Sequence, residues 1–218
     1  MQITLTFDNG PTAETTPQVL EILSRRGVLA DFFVLGKQMM DPDLYKLAET
    51  ARTLGHRIGN HTFSHSIPFG DLANQEEAIA EISRTQRLIG DLAGTELLFR
   101  PFGAGGEPNR RLLNRAAVEH LETNNYTLAL WTSIPRDWED VAGWPETALA
   151  QCAAEPWSVV VLHDGPTGAM SHLDRFIGTL MDRGASFSQD FPLKATPLLR
   201  GRRVGDLESL TAISHSIA

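Results

Sequence analysis

The chain has 218 residues, 42% of them hydrophobic and 21% charged, the proportions of an ordinary folded domain with a sizeable core. Its 27 acidic and 19 basic side chains give a formal charge of −8, which works against a phosphate-rich partner, because binding nucleic acid needs a clustered Lys/Arg face. No stretch approaches the ~20 consecutive apolar residues that span a bilayer, and the lone Cys152, in an Ala-rich helical stretch, reads as a small core residue.

In chain order, Gln2 to Phe7 alternates apolar and polar residues and predicts a strand. Thr15 to Arg26 carries Val19, Leu20, Ile22 and Leu23 at helical spacing and stops at Gly27. An apolar run at Ala30 to Leu35 predicts a second strand, Asp43 to Leu54 a helix ending at Gly55, and His56 to Asn60 a third strand. From Asn74 the series Ala78, Ile79, Ile82, Leu88, Ile89 and Leu92 marks a long amphipathic helix. A short strand at Glu96 to Phe99 and a helix from Pro108 to about His120 follow. Tyr126 to Thr132 and Ser158 to His163 are further strands, separated by a helix after Pro145. Met170 to Arg183 is helical, Ala185 to Phe187 is the last strand, and Thr196 to Ala218 reads as an irregular tail packed on the body.

Strand and helix alternate through seven steps with no linker or repeat, which predicts one α/β domain over 1–218 whose parallel sheet closes as a barrel, possible gaps included. An open Rossmann sheet fits less well, because FDNGPT after the first strand lacks the glycine fingerprint. The chain opens without the basic and apolar segments of an export leader, so a cytoplasmic location is the expectation. Neither nucleic acid nor membrane is an expected partner, and the oligomeric state is left open.

In a parallel barrel the chemistry sits where strands end and loops begin. Five of the seven strand ends carry groups that titrate, ligate or hold an anion: Asp8-Asn9, His61 with His65, Arg100, Asp137-Trp138 and His163-Asp164. Each alone has a plain structural reading. Arg100 could be an ion pair at a loop root and His163 a helix cap, and His56, at a strand start, reads as structural. The pair in His61-Thr-Phe-Ser-His65, placed on a helical turn, would point two imidazoles the same way, and imidazole suits a divalent ion such as zinc. A third ligand would come from Asp8 or Asn9, leaving a position for water that becomes a nucleophile once a base takes its proton. Asp8 could be that base, with Arg100 holding it ionised. His163 is placed to protonate a leaving group, and Asp137 to hold its ring in the donor tautomer.

TFDNGP, HTFSH, FRPFG, Asp137-Trp138 and VVLHD, in this order from residue 4 to residue 164, resemble the five motifs of the polysaccharide deacetylase family. These are carbohydrate esterases that include chitin, peptidoglycan and nodulation-factor deacetylases; ADFFVLG and GHRIGNH also fit. The resemblance implies a distorted (β/α)7 barrel that hydrolyses an N-acetyl amide, or an ester, with a divalent metal that is usually zinc. By position it makes Asp8 the base, His163 the acid, Arg100 the group that orients Asp8, and Asp137 the group that tunes His163. His61 and His65 would hold the metal, with Asn9 where the family has a second acid; a neutral amide oxygen there should hold a dication less tightly. Leu162 and Trp138 would line the pocket for the acetyl methyl, and the metal with a backbone N–H near Phe102 would hold the oxyanion. FRPFG is a residue shorter than usual, with Phe102 where Tyr is common, and Ser66 follows His65 where the family often has Pro.

Three functions are therefore expected to compete. The first is metal-dependent deacetylation of an N-acetylated or O-acetylated sugar. The second is hydrolysis of a cyclic ureide or imide such as allantoin, with a weak metal or none. The third is a barrel that binds a glycan and turns it over poorly.

Overall fold

The alternation in the first strand decides what the sheet encloses. In this computed structural model, which describes residues 1–103 and 105–213, β1 (Gln2–Asp8) sends Ile3, Leu5 and Phe7 outward into the layer of helices. Thr4, Thr6 and Asp8 are then left facing the interior, where all three are buried. Next come α1 (Thr15–Arg26), β2 (Asp31–Val34), α2 (Pro42–Thr53), β3 (Arg57–Asn60) and α3 (Glu76–Ile89). They are followed by β4 (Leu98–Phe99), α4 (Arg115–Thr123), β5 (Thr127–Leu128), α5 (Trp144–Ala153), β6 (Trp157–His163), α6 (Leu173–Asp182) and β7 (Ser186–Phe187). A short hairpin, β8 (Leu198–Leu199) with β9 (Arg202–Arg203), lies beyond them.

The sheet runs β6-β1-β2-β3-β4-β5, all parallel, and β5 then pairs antiparallel with β8. β1 and β6 stay in register along their whole length, from Gln2 opposite Trp157 to Asp8 opposite His163. The ring closes just beyond β5. Ser133 bridges Val160, the N–H groups of Thr132 and Ser133 donate to the Val159 carbonyl, and Val161 N–H donates to Ser133. The seventh parallel strand, β7, pairs with Gln2 and Ile3 at the foot of β1, below the point where β2 takes over that edge. The expected distorted seven-stranded barrel is thus the observed architecture. Among the described residues no helix is long and apolar enough to cross a membrane.

Local signals account for the element ends. Gly27 closes α1 at φ 65, in the left-handed region that favours glycine, and Asp41 caps α2 by accepting from the N–H groups of Asp43 and Leu44. Cys152 is buried in α5, and His56 is a buried structural residue that accepts the Ala30 N–H at Nδ1 (3.1 Å).

Three expectations are corrected. The helix expected from Pro108 starts at Arg115, because Asn114 caps it by accepting the Ala117 N–H (2.8 Å), while Leu113 pairs with Thr211 instead. The strand expected over Tyr126 to Thr132 is regular only at Thr127–Leu128, beyond which the chain passes from pairing with Phe99 of β4 to pairing with Val159 of β6. The tail from Thr196 adds β8 and β9 to the sheet rather than being wholly irregular; its last residues, 214–218, lie outside the described residues.

Candidate active site

Asp8 is the last residue of β1 and 3% exposed. Arg100, which follows β4, is fully buried beside it: Nη1 donates to Asp8 Oδ1 (2.8 Å) and to Thr6 Oγ1 (2.7 Å). Its other donors go to the backbone, Nε to the Ala129 carbonyl (3.0 Å) and Nη2 to the Leu130 carbonyl (3.2 Å), and the guanidinium lies 4.0 Å from the centre of the Phe33 ring. The break in the strand after β5 follows from this, since two carbonyls that a neighbouring strand would have used are turned to an arginine. Burial by itself would raise the Asp8 carboxyl, but Arg100, with His61 and His163, holds it below the usual carboxylate value.

His61 follows β3, and His65 lies four residues on, but the segment between them is not helical as the spacing suggested. Thr62 and His65 take φ values of 69 and 55, and Glu81 of α3 shapes the loop by accepting from the N–H groups of Phe63 (2.9 Å) and Ser64 (2.8 Å). The two imidazoles are nevertheless brought together, with ring centres 4.9 Å apart. His61 Nδ1 lies 2.8 Å from the Arg100 carbonyl, which only accepts, so this nitrogen carries the proton and Nε2 presents a lone pair. That lone pair faces Asp8 Oδ2 at 3.5 Å, an arrangement of two acceptors that calls for a cation or proton between them.

Asn9 supplies a further acceptor. Its backbone is left-handed (φ 76), and its buried Oδ1 has no hydrogen-bond partner among the described residues. Burial lowers both imidazoles, His61 against the pull of Asp8, and His65 to about 3 with the help of the nearby His61, so both are neutral, the ligating form. Two neutral imidazoles and an amide oxygen fit a borderline divalent cation. Among the described residues no three His, Cys, Asp or Glu side chains come together to hold a metal.

His163 ends β6 directly opposite Asp8. The fully buried Asp137 holds it twice, accepting the ring Nδ1–H (2.8 Å) at Oδ1 and the backbone N–H (2.9 Å) at Oδ2. Burial would lower this imidazole, but the hydrogen bond and charge of Asp137, with Asp8 behind it, raise it above its ordinary value. The Trp138 ring stands edge-on to His163 at 4.7 Å, and Phe102 packs on His65 at 3.9 Å between ring centres. Asp8, Asn9, His61, His65, Phe102, Trp138 and His163 all line one hollow of about 470 Å³ at the strand ends.

Leu162 does not. It is fully buried with Phe7 and Leu5 in the outer layer, because successive residues of a strand point to opposite faces, and Val161 takes the place expected for it. Counting back by two from His163 would have given Val161.

A family model described as polysaccharide deacetylase matches residues 1–122. The chain belongs to the polysaccharide deacetylase family. Members of this family are hydrolases of carbon–nitrogen bonds other than peptide bonds. The chain is 31% identical over 192 residues to a peptidoglycan-N-acetylglucosamine deacetylase of Bacillus cereus, covering 85% of this chain and 66% of that protein. It is 33% identical over 168 residues to a chitooligosaccharide deacetylase of Azorhizobium caulinodans, covering 75% of this chain and 73% of that one. A family 4 acetyl xylan esterase from Clostridium thermocellum, solved in complex with a cobalt ion, superposes with a TM-score of 0.69 at 25% identity, covering 86% of this chain and 87% of that one. Against these deacetylases, the second expected reading, a ureide hydrolase, is not favoured.

Several residues of this deacetylase-family site escaped the sequence reading. Thr6 accepts from Arg100, Glu81 builds the loop of the two histidines, and Trp131 and Val161 line the hollow. Thr6 was open to discovery, since it shares the inward face of β1 with Asp8; Glu81 was not, because nothing local shows which loop a helical acid will meet.

Proposed function

We propose that this chain removes N-acetyl groups from a carbohydrate built with N-acetylglucosamine. The observation that carries this is the register of β1 and β6, which sets a carboxylate and an imidazole side by side at the mouth of one hollow with two further imidazoles and an amide oxygen beside them. The names of the similar Bacillus and Azorhizobium proteins support the sugar. An O-acetyl ester is the second reading, favoured by the likeness to the acetyl xylan esterase.

Asn9, His61 and His65 would hold a divalent metal, which we take to be zinc. When bound, it would supply Lewis acidity and a water molecule that ionises near neutral pH. Asp8 takes a proton from the attacking water, and Arg100 keeps that carboxylate ionised and turned toward it. His163 gives its proton to the departing amine nitrogen, while Asp137 accepts the Nδ1–H and so keeps the Nε2–H as the donor. A backbone N–H near Phe102 would hold the charge developing on the carbonyl oxygen. Trp138 and Val161 form the wall against the acetyl methyl, in place of the Leu162 expected from the sequence.

The test is acetate release from chito-oligosaccharide and peptidoglycan fragments, before and after chelation and after adding back Zn²⁺, Co²⁺ or Mn²⁺. Loss and recovery are expected. Turnover untouched by thorough chelation would end the metal assignment, and saturable binding with no acetate released would leave a glycan-binding barrel.

Asn9→Asp is expected to tighten the metal by about tenfold or more, because it adds a negative charge at a ligand position beside Asp8, whose own charge is already paired with Arg100. Calorimetry or competition with a chromophoric chelator reads the Kd directly, and an unchanged Kd removes Asn9 from the ligand set.

The acid role also sets a pH dependence. His163 donates only when protonated, so kcat/KM is expected to fall as pH rises through its raised value. Asp137→Asn removes the main raising influence and leaves the burial that opposes it, so the falling limb should move to lower pH. A limb that stays in place would mean that another group titrates there.

A further inference from the structure

Asp164 follows His163 and is fully buried. It lies on the side of β6 away from the hollow, against the turn that leaves β1. A Cβ placed on Gly10 would meet the Asp164 carboxyl carbon at 2.5 Å and both of its oxygens more closely still, so the carboxylate occupies the space that any side chain at position 10 would need. Thr16 Oγ1–H donates to Asp164 Oδ2 (2.5 Å) and accepts the Thr12 N–H (2.8 Å). Thr12 Oγ1–H donates to the Asp164 carbonyl (2.5 Å), and Thr15 Oγ1–H to the Gly165 carbonyl (3.1 Å). On its far side the turn is held by the Gly10 carbonyl, which accepts the Leu35 N–H (3.0 Å).

We propose that Asp164 is a positioning residue: its carboxylate, packed on Gly10 and tied to Thr16, fixes the Asn9–Gly10 turn against the end of β6 and thereby sets Asp8 and Asn9 relative to His163. Asp8 is fixed from inside the barrel by Arg100, but Asn9, in its left-handed conformation, has no hydrogen-bond partner for its buried Oδ1 among the described residues. Its direction is therefore inherited from the residues on either side. The three threonines of the PTAETT segment anchor the same turn to residues 164 and 165, so the first and sixth strand ends move as one body. The inference takes the roles of Asp8 and His163 from the deacetylase reading above.

The experiment compares Gly10→Ala, Asp164→Ala, Asp164→Asn and the double variant Gly10→Ala/Asp164→Ala. It reads kcat and KM for acetate release and, without substrate, the imidazole ¹H–¹⁵N resonances of His163. Gly10→Ala and Asp164→Ala should each lower kcat by about tenfold or more, with KM changed by less than about threefold, and shift the His163 resonances. The double variant should be less impaired than Gly10→Ala alone, because removing the carboxylate makes room for the new methyl group. Asp164→Asn, which keeps the shape and an acceptor for Thr16, should recover most of kcat. Wild-type kcat and unmoved resonances in a folded Gly10→Ala or Asp164→Ala would overturn the proposal, as would a double variant whose loss equals the product of the two single losses. If Asp164→Ala does not fold, Gly10→Ala and Asp164→Asn decide. If the wild-type protein releases no acetate, the deacetylase reading fails on its own, and the His163 resonances of the same variants still decide this inference.

Discussion

Replacing His163 by alanine is expected to lower kcat by about 10²–10⁴ with little change in fold, since it removes proton transfer to the leaving group. The ring borders the hollow, and among the described residues its side-chain hydrogen bond is to Asp137. Asp8→Asn should lower kcat by a comparable factor: the amide oxygen still accepts from Arg100, but the group no longer takes a proton from water. The two losses should be far from multiplicative in the double variant, because acid and base act on one reaction coordinate. Steady-state acetate release with each variant, alongside circular dichroism, checks this. A folded His163→Ala enzyme with near-wild-type kcat would remove the acid from the scheme.

The second large effect is on stability. Arg100→Ala is expected to cost about 3–5 kcal/mol, the range seen when one partner of a buried ion pair is removed and the other stays. Asp8 would remain buried with its charge uncompensated, and the Ala129 and Leu130 carbonyls would lose their donors. The sign of the pH dependence follows from the direction of the Asp8 shift. In the wild-type protein Asp8 lies below its ordinary value of 3.8, so its ionisation adds stability that is present above that value and is lost as pH falls through the folded one. Without Arg100, burial pushes the carboxyl up instead, and ionisation then opposes folding. The stability gap between the two proteins should therefore be widest near neutral pH and narrow below pH 3.8. Urea unfolding at several pH values measures it, and a gap that does not change with pH would mean that Asp8 carries no charge in the folded protein.

How much of this was readable beforehand depends on the distance over which each feature is decided. The alternation of Gln2 to Phe7 fixes the strand and also the inward face on which Asp8 lies, because both follow from a period of two. The helix ends at Gly27 and Asp41 are likewise local. The five polar strand ends were visible because a parallel barrel has only one place for them. The conformation of His61 to His65 was misread because it is set by Glu81, on another element, rather than by residues between the two histidines. The strand expected over Tyr126 to Thr132 is cut short for the same reason, since Arg100 takes the carbonyls that would have continued it. Leu162 differs from these cases. Its place in the outer layer follows from the strand period alone, which puts Val161 rather than Leu162 on the face that carries His163.

Arg136 links two rim segments of the hollow. Arg136, at φ 57, donates from Nη1 to the Gly105 carbonyl (2.7 Å), pairs with Glu139, and stacks its guanidinium 5.4 Å from the centre of the Trp138 ring. The stretch beginning at Phe102 and the stretch around Asp137 therefore behave as one wall although the chain enters them from different strands. Redesign for a bulkier or a longer glycan should accordingly exchange both stretches together as a cassette, keeping the buried charge set beneath them intact.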